Sequence, residues 1–173
     1  MTANVIIGLI KPKSPSNVGA VMRAAGCYGV DSVFYTGERY GRAEKYHLDT
    51  KTARARIPLT AVQDIRDVIP ASASMVCVEL VEGALLLPQF EHPASAFYVF
   101  GPEDGTIEQA LIDRADTVIY VPTTTSMNLA ACVNVVLYDR LAKSDLTFAN
   151  DEFIRQIRDT NNNAIIGNAG LTV

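Results

Sequence analysis

The sequence has few of the residues that build disulfide frameworks and metal centres. Its 173 residues include three cysteines and two histidines. Cys27, Cys77 and Cys132 are odd in number, widely spaced and set in apolar stretches, which is typical of buried reduced thiols rather than of paired or metal-binding cysteines. His47 and His92 are far apart and have no nearby cluster of Cys or carboxylate ligands. We therefore expect no disulfide and no metal, and a surface or structural role for each histidine.

Long apolar runs and leader features are also missing. The longest apolar runs, such as residues 82–88, are much shorter than the roughly 20 residues that a membrane span requires. The N-terminal residues carry no basic region and no secretory cleavage site. No Gly-x-Gly-x-x-Gly or Walker A stretch is present, which argues against a nucleotide-binding domain of the Rossmann or flavodoxin kind. These absences predict a cytoplasmic protein with no membrane segment.

Apolar, strand-like segments alternate with helix-like segments along a chain whose length suits one domain. Predicted strands lie at residues 4–10, 32–36, 75–80, 96–100 and 117–121, and predicted helices run from 14–17 to 26 or 29 and over 61–69, 106–114, 126–143 and 151–158. A capping box at residues 106–109 opens the third of these helices. Apolar strands separated by helices indicate an α/β fold with a parallel sheet covered on both faces. Residues 1–173 are expected to form this single domain, with residues 151–173 as a C-terminal helix and tail.

The basic residues are concentrated near the start of the chain. Residues 1–60 hold nine Lys or Arg against four Asp or Glu, whereas residues 61–173 hold six against fifteen. Within residues 39–56, aromatic rings and a histidine interleave with six cations: Arg39, Arg42, Lys45, Lys51, Arg54 and Arg56. Cations that neutralise phosphates, beside rings that stack on bases, suit single-stranded or loop RNA. A solvated polar connection is the alternative.

Ligands of a parallel sheet bind at the carboxyl ends of its strands, so the loops after strands are where chemistry is expected. The first such segment, residues 17–26, places Asn17 and Arg23 in a helix of otherwise small and apolar residues. Gly19 and Ala20, one turn before the arginine, leave its guanidinium uncovered. A surface charge is the alternative for a single arginine on a helix.

Two further loops carry polar residues directly after predicted strands. Residues 100–105 put the Glu103 carboxylate between two glycines, which allow close approach of the backbone. Residues 121–129 form a hydroxyl-rich loop that leads into a helix, with Ser126 and Asn128 in its first turn. Taken singly, residues 100–105 are as typical of a tight turn as of a functional loop, and a serine at the start of a helix, as at residue 126, is a common cap.

Together, the three segments resemble the three motifs of the SpoU, or TrmH-type, RNA 2'-O-ribose methyltransferases of the SPOUT superfamily. The matching patterns are N-x-G-x-x-x-R-x-A at residues 17–25, G-x-E at 101–103 and S-M-N-L at 126–129, and the resemblance spans residues 4–141. The S-M-N-L form and the short chain look most like the small TrmL-type tRNA enzymes. The resemblance implies a parallel sheet of five or six strands, a deep trefoil knot in its C-terminal part, and a homodimer.

The resemblance also implies an S-adenosylmethionine-dependent RNA 2'-O-methyltransferase, acting on tRNA, in which particular residues have roles. Arg23 would grip an RNA phosphate and polarise the ribose hydroxyl. Asn17 and Asn128 would orient Arg23 or the substrate, and Glu103, the fourth catalytic residue, would hold the motif loops together. Ser126 would contact the cofactor or cap its helix. The cofactor loops would contribute Leu80, Phe100, Gly101, Val121, Ser126, Met127 and Leu129. A noncatalytic RNA-binding or ribosome-assembly protein with the same fold is the alternative.

Overall fold

The chain builds a parallel sheet of seven strands with helices against both of its faces. The computed structural model describes residues 4–44 and 57–166. Its elements are β1 (Val5–Leu9), α1 (Pro15–Cys27), β2 (Ser32–Tyr35), α2 (Arg39–Glu44), β3 (Leu59–Ala61), a 3₁₀ helix (Ile65–Val68), β4 (Ser74–Val78), β5 (Leu85–Leu86), a second 3₁₀ helix (Leu87–Gln89), β6 (Ala96–Phe100), α3 (Gln109–Ile112), β7 (Thr117–Tyr120), α4 (Leu129–Ala142) and α5 (Asp151–Ile157). The strand order is β3-β2-β1-β6-β4-β7-β5, and every neighbouring pair is parallel. The predicted fold class, a parallel sheet flanked by helices, is confirmed.

The register brings the carboxyl ends of the central strands to one edge of the sheet. Leu9 at the end of β1 pairs with Tyr35 on β2 and with Phe100 on β6. Phe100 pairs in turn with Val78 on β4, and Val78 pairs with Ile119 on β7. Neighbouring strands are roughly 4.8 Å apart, so the loops after β4, β6 and β7 leave the sheet side by side.

Alternating side chains of β1 anchor the two helical layers. Ile7 and Leu9 belong to the apolar cluster shared with α1 and α4, whereas Ile6 belongs to the opposite cluster, which includes residues of the first 3₁₀ helix and α3. Gly8 lies between them, where a Cβ would come within 2.7 Å of Phe97 Cε1. A larger residue at position 8 would therefore have to displace Phe97 of β6 and Ile65, both members of the opposite cluster.

Three sequence expectations about the elements are wrong in detail. Residues 61–69 are not one helix: they continue from strand β3 into a 3₁₀ helix that the side chain of Asp64 caps. The capping box expected at Thr106 does not form: α3 starts later, at Gln109, no side chain caps it, and the Gln109 side chain donates to Asp113 Oδ1 at 2.7 Å. The sheet has seven strands rather than five or six because two short strands, β3 and β5, extend its edges.

The thiols differ in exposure more than the sequence suggests. Cys77 is buried and Cys132 is half-buried, but Cys27, the last residue of α1, is exposed on the outer side of that helix; all three are free. His47 lies outside the described residues. Among residues 4–44 and 57–166, no group of three or more His, Cys, Asp or Glu could hold a metal ion. In the same ranges no helix is both long enough and apolar enough to cross a membrane.

His92 has a structural role, in line with the sequence expectation. Its Nδ1 lies 2.6 Å from the Tyr98 hydroxyl and its Nε2 lies 2.9 Å from Asp139 Oδ2. Burial lowers the pKa of His92 although the neighbouring Asp139 carboxylate acts in the opposite direction. The imidazole therefore joins β6 to α4, which is the helix that borders the candidate site.

The described residues from 144 to 166 belong to a second compact unit. Within it, α5 begins where the Asn150 side chain accepts from the Phe153 N–H at 3.1 Å, as the acidic first turn predicts. The rings of Phe148 and Phe153 meet edge to face at 5.1 Å. The single-domain organisation and the knot stay predictions.

Candidate cofactor pocket and active site

A pocket opens at the carboxyl edge of the sheet, between the loops that follow β4, β6 and β7. Its volume is about 850 Å³ when the open solvent at its mouth is included. All of the residues predicted to bind the cofactor line it: Leu80, Phe100, Gly101, Val121, Ser126, Met127 and Leu129. The fold therefore brings the three predicted cofactor loops together around one cavity.

A chain of hydrogen bonds joins the three motif segments at this pocket. Glu103 Oε1 accepts from Asn17 Nδ2 at 3.1 Å, and Asn17 Oδ1 accepts from Asn128 Nδ2 at 3.0 Å. Asn128 Oδ1 accepts in turn from the backbone N–H groups of Ala130 and Ala131, and so caps α4. Asn17, Glu103 and Asn128, three of the predicted catalytic residues, thus form one connected unit.

The cap of α4 corrects one of the two roles expected of Ser126. Asn128, not Ser126, caps α4, so the helix begins at Leu129, three residues later than predicted. One Asn oxygen satisfies two of the N–H groups that a helix start leaves without partners. Ser126 lies outside the helix, on the pocket wall, and its contact with the cofactor stays a prediction.

Glu103 is held by the backbone at the start of α1. Its Oε2 accepts from the Lys13 N–H at 2.9 Å, and its Oε1 accepts from the Ser14 N–H at 3.1 Å. Partial burial acts to raise the pKa of Glu103, but the hydrogen bonds from Ser14, Asn17 and Lys13 outweigh it and lower the pKa below its usual value. A carboxylate held in this way is a poor proton acceptor, and its contacts suit the predicted role of joining the motif loops.

Sequence reasoning missed a second carboxylate, Glu79, which lines the same pocket directly after β4. Its Oε1 accepts from the Leu80 N–H at 2.9 Å, and its Oε2 accepts from the Ile107 N–H at 3.0 Å. A Cβ on Gly101 would lie 2.6 Å from Oε2, so the glycine makes room for this carboxylate. The available signal was positional: Glu79 follows a buried strand at the edge where ligands bind.

Cys132 faces the pocket from the first turn of α4. Burial, reinforced by the negative charge of Glu79, raises the pKa of this thiol to about 11. The thiol is protonated at neutral pH and is therefore a weak nucleophile. Its contribution to the pocket is apolar surface.

Arg23, the remaining predicted catalytic residue, does not line the pocket of its own chain. It follows Asn17 by six residues, which places it about 9 Å further along α1 and about 120° around the helix. The side chain is exposed and makes no hydrogen bond or ion pair with any residue that the structure describes. Within a single chain, neither Asn17 nor Asn128 orients it.

The two described members of the predicted RNA-binding set are in ion pairs. Arg39 contacts Asp104 through two bonds of 2.7 and 2.8 Å and donates to the Lys11 carbonyl at 2.9 Å. This pairing raises the pKa of Arg39 and lowers that of Asp104. Arg42 pairs with Glu38, one turn earlier. Four further members lie outside the described residues: Lys45, Lys51, Arg54 and Arg56. Arg39 therefore ties α2 to the loop after β6.

A parallel sheet with a pocket at its carboxyl edge, walled by loops that carry the three motifs, is the arrangement that the resemblance to the RNA methyltransferases implies. The model of the SpoU rRNA Methylase family matches residues 4–138, and the chain belongs to that family. The resemblance read from the sequence is thereby confirmed. No curated relative matches the chain.

Solved structures, two of them named as SpoU proteins, share the fold. The SpoU methyltransferase AviRb from Streptomyces viridochromogenes, in complex with AdoMet, superposes with a TM-score of 0.67 at 16% identity, over 82% of this chain and 61% of that one. The TrmH/SpoU tRNA modifying enzyme of A. aeolicus has a TM-score of 0.69 at 16% identity, over 81% of this chain and 75% of that one. A structure described in terms of 2-OH methylation of C/U34 on tRNA has a TM-score of 0.62 at 19% identity, over 81% of this chain and 90% of that one. The chain spans about three fifths of the length of AviRb.

Proposed function

We propose that this protein is an S-adenosylmethionine-dependent RNA 2'-O-ribose methyltransferase that acts on tRNA. The observation that carries the proposal is the hydrogen-bonded unit of Glu103, Asn17 and Asn128, which links the three motifs at one pocket. Membership of the SpoU family supports methyl transfer to RNA. Ribose and tRNA specificity are supported by two relatives, one described as a tRNA modifying enzyme and one in terms of 2-OH methylation on tRNA.

The lining of the pocket fits the cofactor. Phe100, Val121 and Leu129 supply apolar walls for an adenine ring, and Glu79 supplies a carboxylate for a cation. Gly101 leaves space that a Cβ would fill. When bound, S-adenosylmethionine supplies an activated methyl group next to a sulfonium charge, so a polar and apolar pocket of this kind matches both of its ends.

Methyl transfer to a ribose hydroxyl requires that the oxygen be oriented and its proton removed. Asn17, Asn128 and Glu103 use their polar atoms largely on one another and on the backbone. They act as positioning residues that fix the motif loops. The guanidinium of Arg23 is the group left to hold an RNA phosphate and polarise the hydroxyl.

Arg23 can serve that pocket if a second copy of the chain presents it, which is why a homodimer is part of the proposal. The outward faces of α1 and α4 expose mainly small or uncharged residues around Arg23, among them Ala20, Ala131 and Tyr138, and Tyr138 is 61% exposed. Helices α1 and α4 pack against each other, so these residues can form one continuous surface. Such a surface suits a self-complementary two-fold interface.

The remaining parts of the proposal follow from the resemblance. They are a C-terminal trefoil knot, a TrmL-like subtype, a cytoplasmic location, a single domain over residues 1–173, and RNA contact by Arg42 with Lys45, Lys51, Arg54 and Arg56. Arg39 would act indirectly, because its guanidinium is engaged with Asp104.

The test is transfer of labelled methyl groups from S-adenosylmethionine to tRNA taken from a strain that lacks the protein, followed by nucleoside mass spectrometry. We expect one 2'-O-methylated nucleoside to appear, and none with Arg23→Ala. A methylated base would overturn the ribose assignment. Normal cofactor binding with no methyl transfer to any RNA would favour the noncatalytic RNA-binding or ribosome-assembly alternative.

A further inference from the structure

Glu79 is a carboxylate of the pocket that forms no ion pair with any residue that the structure describes. Its two oxygens each accept one backbone N–H, from Leu80 and from Ile107. A carboxylate oxygen has two acceptor sites, so each oxygen keeps one for a ligand. No ion pair joins Glu79 to any residue within 4–44 and 57–166. The carboxylate is therefore held in place, and no cation in these two ranges compensates its charge.

The described residues that line the pocket carry a net negative charge. The charged ones are Glu79 and Glu103, and no Lys or Arg of the described ranges is among them. Glu103 is surrounded by donors from the start of α1, which leaves Glu79 as the dominant source of field inside the cavity. The raised pKa of Cys132, on the α4 wall, has Glu79 as its second cause after burial, so this field reaches across the pocket.

Gly101 allows the Glu79 carboxylate to lie close to the backbone that follows β6. Because a Cβ at this position would be 2.6 Å from Glu79 Oε2, the carboxylate packs against the bare backbone after β6. Held between that backbone and the Ile107 N–H, it cannot rotate away into solvent without losing a hydrogen bond.

We propose that Glu79 makes this pocket select the positively charged cofactor S-adenosylmethionine over its neutral product S-adenosylhomocysteine. In the transfer, the bond between sulfur and the methyl carbon breaks and its electron pair returns to sulfur. The methyl carbon bonds to the ribose oxygen, and the hydroxyl proton leaves to solvent. The ligand thereby loses one positive charge, and the attraction to Glu79 falls at the moment when the product has to dissociate. The inference rests on the proposed function, since it assumes that cofactor.

Isothermal titration calorimetry on the full chain tests this with three ligands: S-adenosylmethionine, S-adenosylhomocysteine and sinefungin, in which an ammonium group replaces the methylsulfonium. Glu79→Gln removes the charge and keeps one acceptor oxygen. We expect it to weaken the binding of both cationic ligands about tenfold, because the attraction between the carboxylate and the ligand's positive charge is lost. Binding of S-adenosylhomocysteine should change little.

Glu82→Gln is the matched control, because Glu82 is exposed three residues further along and does not line the pocket; it should leave all three affinities unchanged. Equal weakening of the three ligands by Glu79→Gln would mean a structural role and would overturn the proposal. If Glu79→Gln does not fold, the affinities of the wild-type protein test the proposal. Binding of S-adenosylhomocysteine at least as tight as that of both cationic ligands would refute it. Failure of wild type to bind S-adenosylmethionine at all would instead refute the cofactor assignment itself.

Discussion

Replacing Glu103 by Gln should destabilise the domain because this carboxylate joins the loop after β6 to the start of α1. It accepts three hydrogen bonds, from Lys13, Ser14 and Asn17. A hydrogen bond to a charged group contributes about 1.5–3 kcal/mol when buried, and partial solvent exposure reduces this. Glutamine keeps one acceptor oxygen, so we expect a loss of about 1–2 kcal/mol at neutral pH, which is a large fraction of a typical domain stability of ~5–15 kcal/mol.

Urea denaturation followed by circular dichroism measures this loss as a fall in midpoint at unchanged slope. Glu108→Gln is the control, because the Glu108 carboxylate is 65% exposed and pairs with Lys11 at the surface, where an ion pair contributes about 0–1 kcal/mol. The folded-state pKa of Glu103 is lowered, so its contribution is complete above the unfolded pKa of roughly 4.3 and is lost as pH falls through the folded pKa. The difference between wild type and Glu103→Gln should therefore shrink below about pH 4. Equal midpoints for the two variants at neutral pH would refute the reasoning.

Three further substitutions probe the site. Gly101→Ala should weaken S-adenosylmethionine binding in calorimetry, because its Cβ would displace the Glu79 carboxylate 2.6 Å away, whereas Gly26→Ala, with its nearest contact at 4.0 Å, should not; equal effects would contradict the predicted clash. Arg23→Ala should abolish methyl transfer while leaving the affinity for the cofactor nearly intact. If two subunits build each site, mixing Arg23→Ala protein with Gly101→Ala protein should restore part of the activity. No restored activity in a mixture whose subunits are shown to exchange would contradict a shared site. Tyr138→Asp should shift the protein from dimer to monomer in analytical ultracentrifugation, and an unchanged dimer would place the interface elsewhere.

The strands could be predicted from sequence because burial on both sheet faces demands uninterrupted apolar runs. Residues 96–100 are the clearest case, since all five are buried and the predicted and observed bounds agree. Residues 61–69 failed because a helical period over so short a segment does not exclude pairing with the end of β2. The start of α4 was misplaced by three residues because Ser126 and Asn128 are both good caps in sequence, and the choice depends on the hydrogen bond between Asn128 and Asn17.

Family resemblance supplied what spacing could not. Asn17 and Asn128 are 111 residues apart, and no local pattern predicts that their amides meet. Glu79 shows the reverse limit: it belongs to none of the three motifs, so the resemblance did not point to it. Its place in the pocket depends on the register of β4 against β6, which aligns Val78 with Phe100 and so brings Glu79 beside Gly101.

The two carboxylates of the pocket, Glu103 and Glu79, differ in what their charges interact with. Glu103 lies among backbone and amide donors, and these lower its pKa and use its charge to fix the loops. Glu79 meets one backbone donor per oxygen and no cation among the described residues. A charge that the fold has already compensated adds little to ligand choice, whereas an uncompensated charge in a partly closed cavity acts on whatever enters. The distribution of donors around each carboxylate, more than its presence in the pocket, therefore decides which of the two distinguishes a cationic ligand from a neutral one.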